Sequence, residues 1–268
     1  MTSFQNPVSF QRQAPAHIIQ SDAEALEIAQ SLAAQFKAGA VQRDAQRLLP
    51  FQEIEAYSQS GLWAITVPKA YGGAEASSYT VAQVIALMSG ADGSIGQIPQ
   101  NHFYALEVLR NTGTEQQKQK LYAEVLQGAR FGNALAEFKT KSASQKQTVI
   151  SPKADGYEIN GEKFYCTGSL FAHRIPALVK DADGREFLAF IPRESQGLEL
   201  IDDWSGFGQR TTGSGTVKFS RVAVSAEDVI AFDTAFSEPT LVGPFAQLMH
   251  AAIETGIARA AFEETLAR

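Results

Sequence analysis

Residues able to do chemistry gather at a few places in this sequence. Thr167-Gly168-Ser169 offers two hydroxyls around a glycine, where a backbone can approach a ligand closely. Gln97, Asn101 and His102 fall at i, i+4 and i+5, so a helix would carry the two amides on one face and the imidazole to one side. His102 is the group there that titrates near neutrality, either an acid–base catalyst or a structural histidine. Ser214, between Gly213 and Gly215, is a hydroxyl donor in a loop free to approach a ligand, although Gly-Ser loops also serve as plain connections. Cys166 alternates with Thr167 and reads as packing.

Other chemistries lack their residues. There is no Gly-x-x-x-x-Gly-Lys-Ser/Thr loop, no cysteine pair and no His-Glu-x-x-His, and His17, His102, His173 and His250 are scattered at no ligand spacing. Gly206-Phe207-Gly208 imitates the opening of a dinucleotide fingerprint, but no helical pattern follows it. Ser205, Ser214 and Ser225 lack the strand–elbow–helix setting of a hydrolase nucleophile. With 268 residues, 44% hydrophobic and 19% charged, the chain has the composition of a soluble globular protein with ample core. A net charge of −6 without a basic block argues against nucleic-acid binding. No apolar run would span a bilayer, and one cysteine suits a reducing cytoplasm.

The elements that must position these residues follow from periodicity. Residues 1–20 carry none and read as a loose arm. Ser21-Asp22-Ala23-Glu24 is a capping box for a first helix with Gly39 near its end. A second helix runs from Phe51 to Gly61, and Leu62 to Gly73 reads as an extended stretch closing in a turn. Val81, Val84, Ile85 and Met88 mark a third helix. Ser94 caps a fourth that carries Gln97, Asn101 and His102, and Thr114 to Gln117 is a second capping box. Between Arg130 and Val229 the period drops to two. Asn160-Gly161 predicts a type I′ turn, with Glu158 opposite Lys163 and Tyr157 opposite Phe164. A second hairpin folds around Asp181 to Gly184. Helical spacing returns from Phe245 onward. The order is helices, a β region, then helices, and the last helix has no following element to cover its apolar face.

Several co-linear motifs then resemble one family. Gly61-Leu62 with Val67-Pro68-Lys69-Ala70-Tyr71-Gly72-Gly73, and Gly113-Thr114-Glu115-Gln116 with Lys118, resemble the N-terminal helical domain of the acyl-CoA dehydrogenase superfamily. Asp155-Gly156-Tyr157, Asn160 to Lys163 and Thr167-Gly168 resemble the start of its middle β domain, and Phe245 to Ala261 the first helix of its C-terminal bundle. Phe131 to Ala134, Ile201 to Trp204, Gly208 to Gly215 and Asp92 to Phe103 are similar to the flavin-dependent monooxygenase branch. That branch includes dibenzothiophene monooxygenase and the sulfur-acquisition oxidoreductases linked to dimethyl sulfone.

The resemblance implies an α+β multidomain chain. A helical domain (21–130) would precede a middle antiparallel, β-barrel-like domain (131–232) and the first part of a helical bundle (233–268). It implies a homotetramer that oxidises a small organosulfur compound with O2 and reduced FMN from a partner flavin reductase, while a cytoplasmic location is the default reading of the composition. FAD with acyl-CoA dehydrogenase activity, or a flavin-poor remnant or fragment lacking the rest of the bundle, are the alternatives. Thr167 and Gly168 would lie against the flavin ring, with Ser169, Tyr165, Ala134, Leu135 and Ser142 along the cofactor. Trp204 would pack on the ring or in the core; Arg210 would contact phosphate or brace its loop; Ser214 would donate to the cofactor. Asn133 corresponds to an active-site asparagine or serves as a junction turn, and Gln97, Asn101 and His102 would line the substrate side. Two departures stand out: Ala136 replaces a family threonine, and Ala143 a family acid.

Overall fold

A computed structural model describes residues 15–137 and 147–268. Residues 15–20 are docked, with Ala16 and Ile19 buried and the His17 amide donating to Gln59 O (2.9 Å). Helix α1 (Asp22–Gln46) starts at Ser21, whose hydroxyl accepts from Glu24 N. Glu24 turns to Gln20 N and His17 instead of completing the expected box. Gly39 lies inside this helix, not near its end. A Cβ there would stand 2.5 Å from an Arg43 nitrogen. The glycine makes room for a buried guanidinium that reaches Asp92 (3.0 and 2.9 Å) and Glu53 (2.9 Å).

Helix α2 (Phe51–Gln59) ends at Gly61 (φ 85°) as the sequence predicts. Leu62–Ala64 and Lys69–Tyr71 are short 3-10 turns where an extended stretch was expected, and every residue from Leu62 to Val67 is buried, without the alternation of a half-exposed strand. Helix α3 (Ser78–Ala91) follows. The expected fourth helix is two, α4 (Gly93–Gln97) and α5 (Gln100–Thr112). Asp92, not Ser94, caps α4 by accepting from Ser94 N (3.0 Å) and Ile95 N (3.2 Å). Pro99 breaks the ladder while Ile98 and Pro99 keep helical backbone angles. Helix α6 (Glu115–Leu126) has both halves of its Thr114–Gln117 capping box.

The sheet comprises β1 (Val149–Lys153), β2 (Gly156–Lys163), β3 (Arg174–Lys180), β4 (Glu186–Pro192), β5 (Leu198–Ile201), β6 (Thr216–Val224) and β7 (Val229–Ala231), in the order β5-β6-β2-β1-β3-β4-β7. It is open, with β5 and β7 as edges, and mixed, because β1 and β3 run parallel. Among the described residues neither a barrel nor a purely antiparallel sheet forms. The β3–β4 hairpin around Asp181–Gly184 is as predicted.

Asn160-Gly161 is not a turn. The chain reverses at Ala154-Asp155, with Lys153 paired to Gly156 (φ 134°), and β2 runs through Asn160-Gly161 as one strand. A β-bulge does lie beside it, but in β6: Ser220 and Arg221 (φ 53°) stand opposite Asn160 alone, Asn160 Oδ1 accepts from Arg221 N (2.8 Å), and the positive φ of Gly161 (146°) sits within β2 next to that register shift. Glu158 therefore pairs with Lys153 (2.5 Å). Lys163, wholly buried, pairs with Glu137 (2.6 Å).

Helix α7 (Val242–Leu266) lies on α3 at close range: a Cβ on Gly256 would sit 2.2 Å from Ala86 O, and one on Gly90 3.1 Å from Gly256 O. Phe245, Met249, Ala252 and Ile253 are buried, whereas Leu248 and Ile257 remain partly exposed. Arginines tie helices to the rest: Arg47 to Asp202, Arg130 to Glu55, and Arg174 to Glu124 and Asp228. Their forked guanidiniums suit carboxylates at such junctions.

Candidate functional site

The exit from β2 builds the site. Phe164 donates its amide to Ala136 O (2.9 Å), and then Tyr165 takes a left-handed conformation (φ 54°) that ends the strand's alternation. Tyr165 O accepts from Thr167 N (2.8 Å) and from Asn133 Nδ2 (3.0 Å). Gly168 (φ 80°) turns the chain into a 3-10 turn, Ser169–Phe171. A Cβ on Gly168 would lie 3.0 Å from Ile98 O. That contact brings the hydroxyl-bearing turn against the junction of α4 and α5, between Gln97 and Asn101, both half-buried.

The third wall is the segment 202–215. Asp202 is held by Arg47 (3.0 and 2.5 Å), and Asp203 caps β6 through Thr216 N and its hydroxyl (both 2.8 Å). Gln209 Nε2 donates to Gly93 O (3.2 Å) and Thr211 N to Ser94 Oγ (3.4 Å). Trp204 donates its indole N–H to Gln209 O (3.0 Å) and meets Tyr165 edge-on, with ring centres 5.7 Å apart. Tyr165 also packs on Phe164 (4.1 Å) while half of it remains exposed. Gly168 N donates to Thr212 O (3.3 Å). Thr167 Oγ1 lies 2.7 Å from Ser214 Oγ, which lies 2.7 Å from Thr212 Oγ1.

The expected residues thus divide. Thr167, Gly168 and Ser214 lie around one turn, with Trp204 and Tyr165 beside it, and Gln97 and Asn101 flank Ile98 at the helix junction that touches Gly168. Asn133 and Ser169 are spent on the framework: Asn133 Oδ1 accepts from Leu135 N (3.1 Å), and Ser169 Oγ accepts from Asn133 N (3.0 Å) and donates to Asn133 O (2.7 Å). Ala134 is buried in the sheet, its amide on Pro176 O, and Arg210 is half-buried on its loop. Ser142 falls outside the described residues. Cys166 is buried, which pushes its thiol pKa up and keeps it protonated.

His102 is fully enclosed. Its Nε2 donates to Trp63 O (2.7 Å) and its Nδ1 accepts from Phe131 N (3.1 Å), so the bonds require the neutral ring protonated at Nε2. Burial drives its pKa down to about 3, with the Arg130 charge adding to the effect and the Trp63 carbonyl opposing it. Both nitrogens are occupied by backbone, so its surroundings offer a staple between α5, Trp63 and Phe131, two residues before Asn133. They do not offer a proton carrier. Thr212, Gln209, Arg47 and Asp202 were not anticipated. Two hydroxyls either side of Gly213 were the available signal for Thr212. Among the described residues no group of His, Cys, Asp and Glu is placed to hold a metal, and no helix is long and apolar enough to cross a membrane.

The family described as "Acyl-CoA dehydrogenase, N-terminal domain" matches residues 23–129. A dibenzothiophene monooxygenase of Rhodococcus qingshengii is 30% identical over 256 residues, covering 91% of this chain and 61% of the relative. A "probable FMNH2-dependent monooxygenase SfnC" of Pseudomonas putida is 33% identical over 245 residues, covering 90% of this chain and 60% of the relative. The FMN-bound crystal structure of TdsC from Paenibacillus sp. A11-2 superimposes with a TM-score of 0.85 at 31% identity, covering 91% of this chain and 64% of that one. The chain thus spans about three-fifths of the length of the curated relatives it matches.

Proposed function

We propose, from the match of residues 23–129 to the acyl-CoA dehydrogenase N-terminal domain and the likeness to its monooxygenase relatives, that the chain is a member of that superfamily and works as a flavin-dependent monooxygenase, oxidising a small organosulfur compound with reduced FMN and O2. A partner flavin reductase supplies the reduced FMN. The resemblance supports extending the reading to a homotetramer, and the single cysteine supports a cytoplasmic one. The observation that carries the proposal is the convergence at Gly168, where a hydroxyl-bearing turn, an aromatic pair and an amide-bearing helix junction meet without an intervening Cβ.

These residues fit a flat, polar-edged ring. Gly168 lets Ile98 O close on the turn, Thr167 and Ser214 bring hydroxyls to the ring, and Tyr165 with Trp204 borders it with aromatic surface. Bound reduced flavin supplies the two electrons with which O2 is split between the substrate and water. The chain supplies shape. Asn133 holds the Tyr165 carbonyl and Leu135 amide in place, and the amides of Gln97 and Asn101 can donate to oxygens on sulfur and accept in return. The buried surroundings of Thr167 keep water from the ring's edge.

The proposal is tested by O2 uptake with FMN, NADH and a flavin reductase, scoring oxygenated products from dimethyl sulfone, methanesulfinate and dibenzothiophene. Uptake and product should both need the reductase. Product formed without O2, with an artificial electron acceptor, would overturn it.

A further inference from the structure

Three hydroxyls stand in series behind the turn: Thr167 Oγ1, Ser214 Oγ and Thr212 Oγ1, each 2.7 Å from the next. The series ends on Gln209 O, 3.1 Å from Thr212 Oγ1. Thr212 and Ser214 are almost fully buried, and Thr167 nearly so. Each hydroxyl has one proton to give and lone pairs to receive. The protons can therefore line up in two ways.

In the first, every hydroxyl donates inward: Thr167 to Ser214, Ser214 to Thr212, Thr212 to Gln209 O. Thr167 then shows a lone pair to anything bound at the turn. In the second, every hydroxyl donates outward, and Thr167 presents its proton. The second arrangement is affordable because Gln209 O already accepts the Trp204 indole N–H at 3.0 Å and does not depend on Thr212. With an acceptor bound at the turn for the second arrangement, no buried donor is orphaned in either.

We propose that Ser214 and Thr212 are positioning residues that let Thr167 act as acceptor or donor, so that the turn holds a flavin ring in both its reduced and its oxidised form. The proposal rests on the flavin reading above. It follows from flavin chemistry: the central ring nitrogen at the polar edge carries a hydrogen when the ring is reduced and a bare lone pair when it is oxidised. A hydroxyl with a fixed proton would satisfy one form and confront the other. A hydroxyl backed by a reversible series satisfies both. Ser214→Ala removes the inward acceptor, so the Thr167 proton must point outward. Thr212→Val does the same at one remove, because Ser214 is left with Thr167 as its acceptor.

The test measures affinity for oxidised FMN by fluorescence titration and for reduced FMN by anaerobic equilibrium dialysis. Wild-type protein, Ser214→Ala, Thr212→Val and Thr212→Ser are compared, with thermal melts to check folding. Ser214→Ala should lose about tenfold in affinity for reduced FMN, the order expected when a buried donor faces a donor, and little for oxidised FMN. Thr212→Val should shift the ratio in the same direction by less, and Thr212→Ser should restore it. Thr212→Val carries the test if Ser214→Ala does not fold. Equal losses for both forms, or no loss, would overturn the proposal and leave the flavin reading standing. Wild-type protein that binds neither form would overturn both.

Discussion

Asn160-Gly161 and Thr167-Gly168 lie seven residues apart on one path through the sheet and use glycine for opposite ends. Gly161 (φ 146°) serves packing inside the sheet: beside the bulge that Ser220 and Arg221 make in β6, its missing Cβ leaves room for Thr148, whose Cα would otherwise be 2.6 Å away. Gly168 (φ 80°) is spent on access, since it admits the helix junction at Ile98 to the turn that carries Thr167. The first meets neighbours in its own sheet. The second gathers Ile98, Asn133, Thr212 and Ser214 from distant parts of the chain. A local demand for positive φ is therefore legible in either dipeptide, but what the fold does with it is decided by what arrives opposite.

The largest effect expected from breaking this comparison is beside the bulge. Gly161→Ala places a Cβ against backbone that cannot swing aside, at a φ that side chains rarely adopt, and should cost roughly 2–4 kcal/mol of stability. Urea denaturation would measure the loss, while the folded fraction should bind FMN as the wild type does. A folded Gly161→Ala protein with selectively weakened FMN binding would mean that the two dipeptides are not separate in function.

The helical side sharpens the contrast through His102. Because its folded pKa of about 3 lies below the ordinary histidine value, the unfolded chain takes up a proton that the folded chain refuses. Stability from this group should be level at alkaline pH and fall as pH drops below about 6.5, by up to about 1.4 kcal/mol per pH unit. Denaturation midpoints between pH 8 and 5 would show the slope, and His102→Gln should flatten it. An unaltered slope in the variant would mean that other groups govern the acid limb.

How much of this was readable in the sequence depended on the range of the cause. The Thr114–Gln117 box and the Asp181–Gly184 hairpin are specified within a few residues and form as predicted. Asp92 displaced Ser94 as a cap because both are capping residues and the choice also involved Arg43, 49 residues away. Likewise, periodicity of two says strand but is silent on closure, so an open mixed sheet and a barrel read alike. At the site, the Thr167 and Ser214 hydroxyls could be named singly, but their contact spans 47 residues and has no local signature. His102 was legible as a titratable group and illegible as a staple, because both of its partners are backbone atoms.

The smallest change tests the access end alone. Thr167→Val keeps the shape of the side chain and removes its hydroxyl, leaving Ser214 with Thr212 as a partner 2.7 Å away. Because no buried group is stranded, the stability cost should stay near 1 kcal/mol, well below that of Gly161→Ala. FMN affinity, by contrast, should weaken about tenfold, as expected for one lost hydrogen bond to the ring. The two variants would then cross: one unstable but competent to bind, the other stable but poor at binding. A Thr167→Val protein with wild-type affinity would move the ligand-holding role from the side chain to the Gly168 backbone, and the turn would then act through its shape.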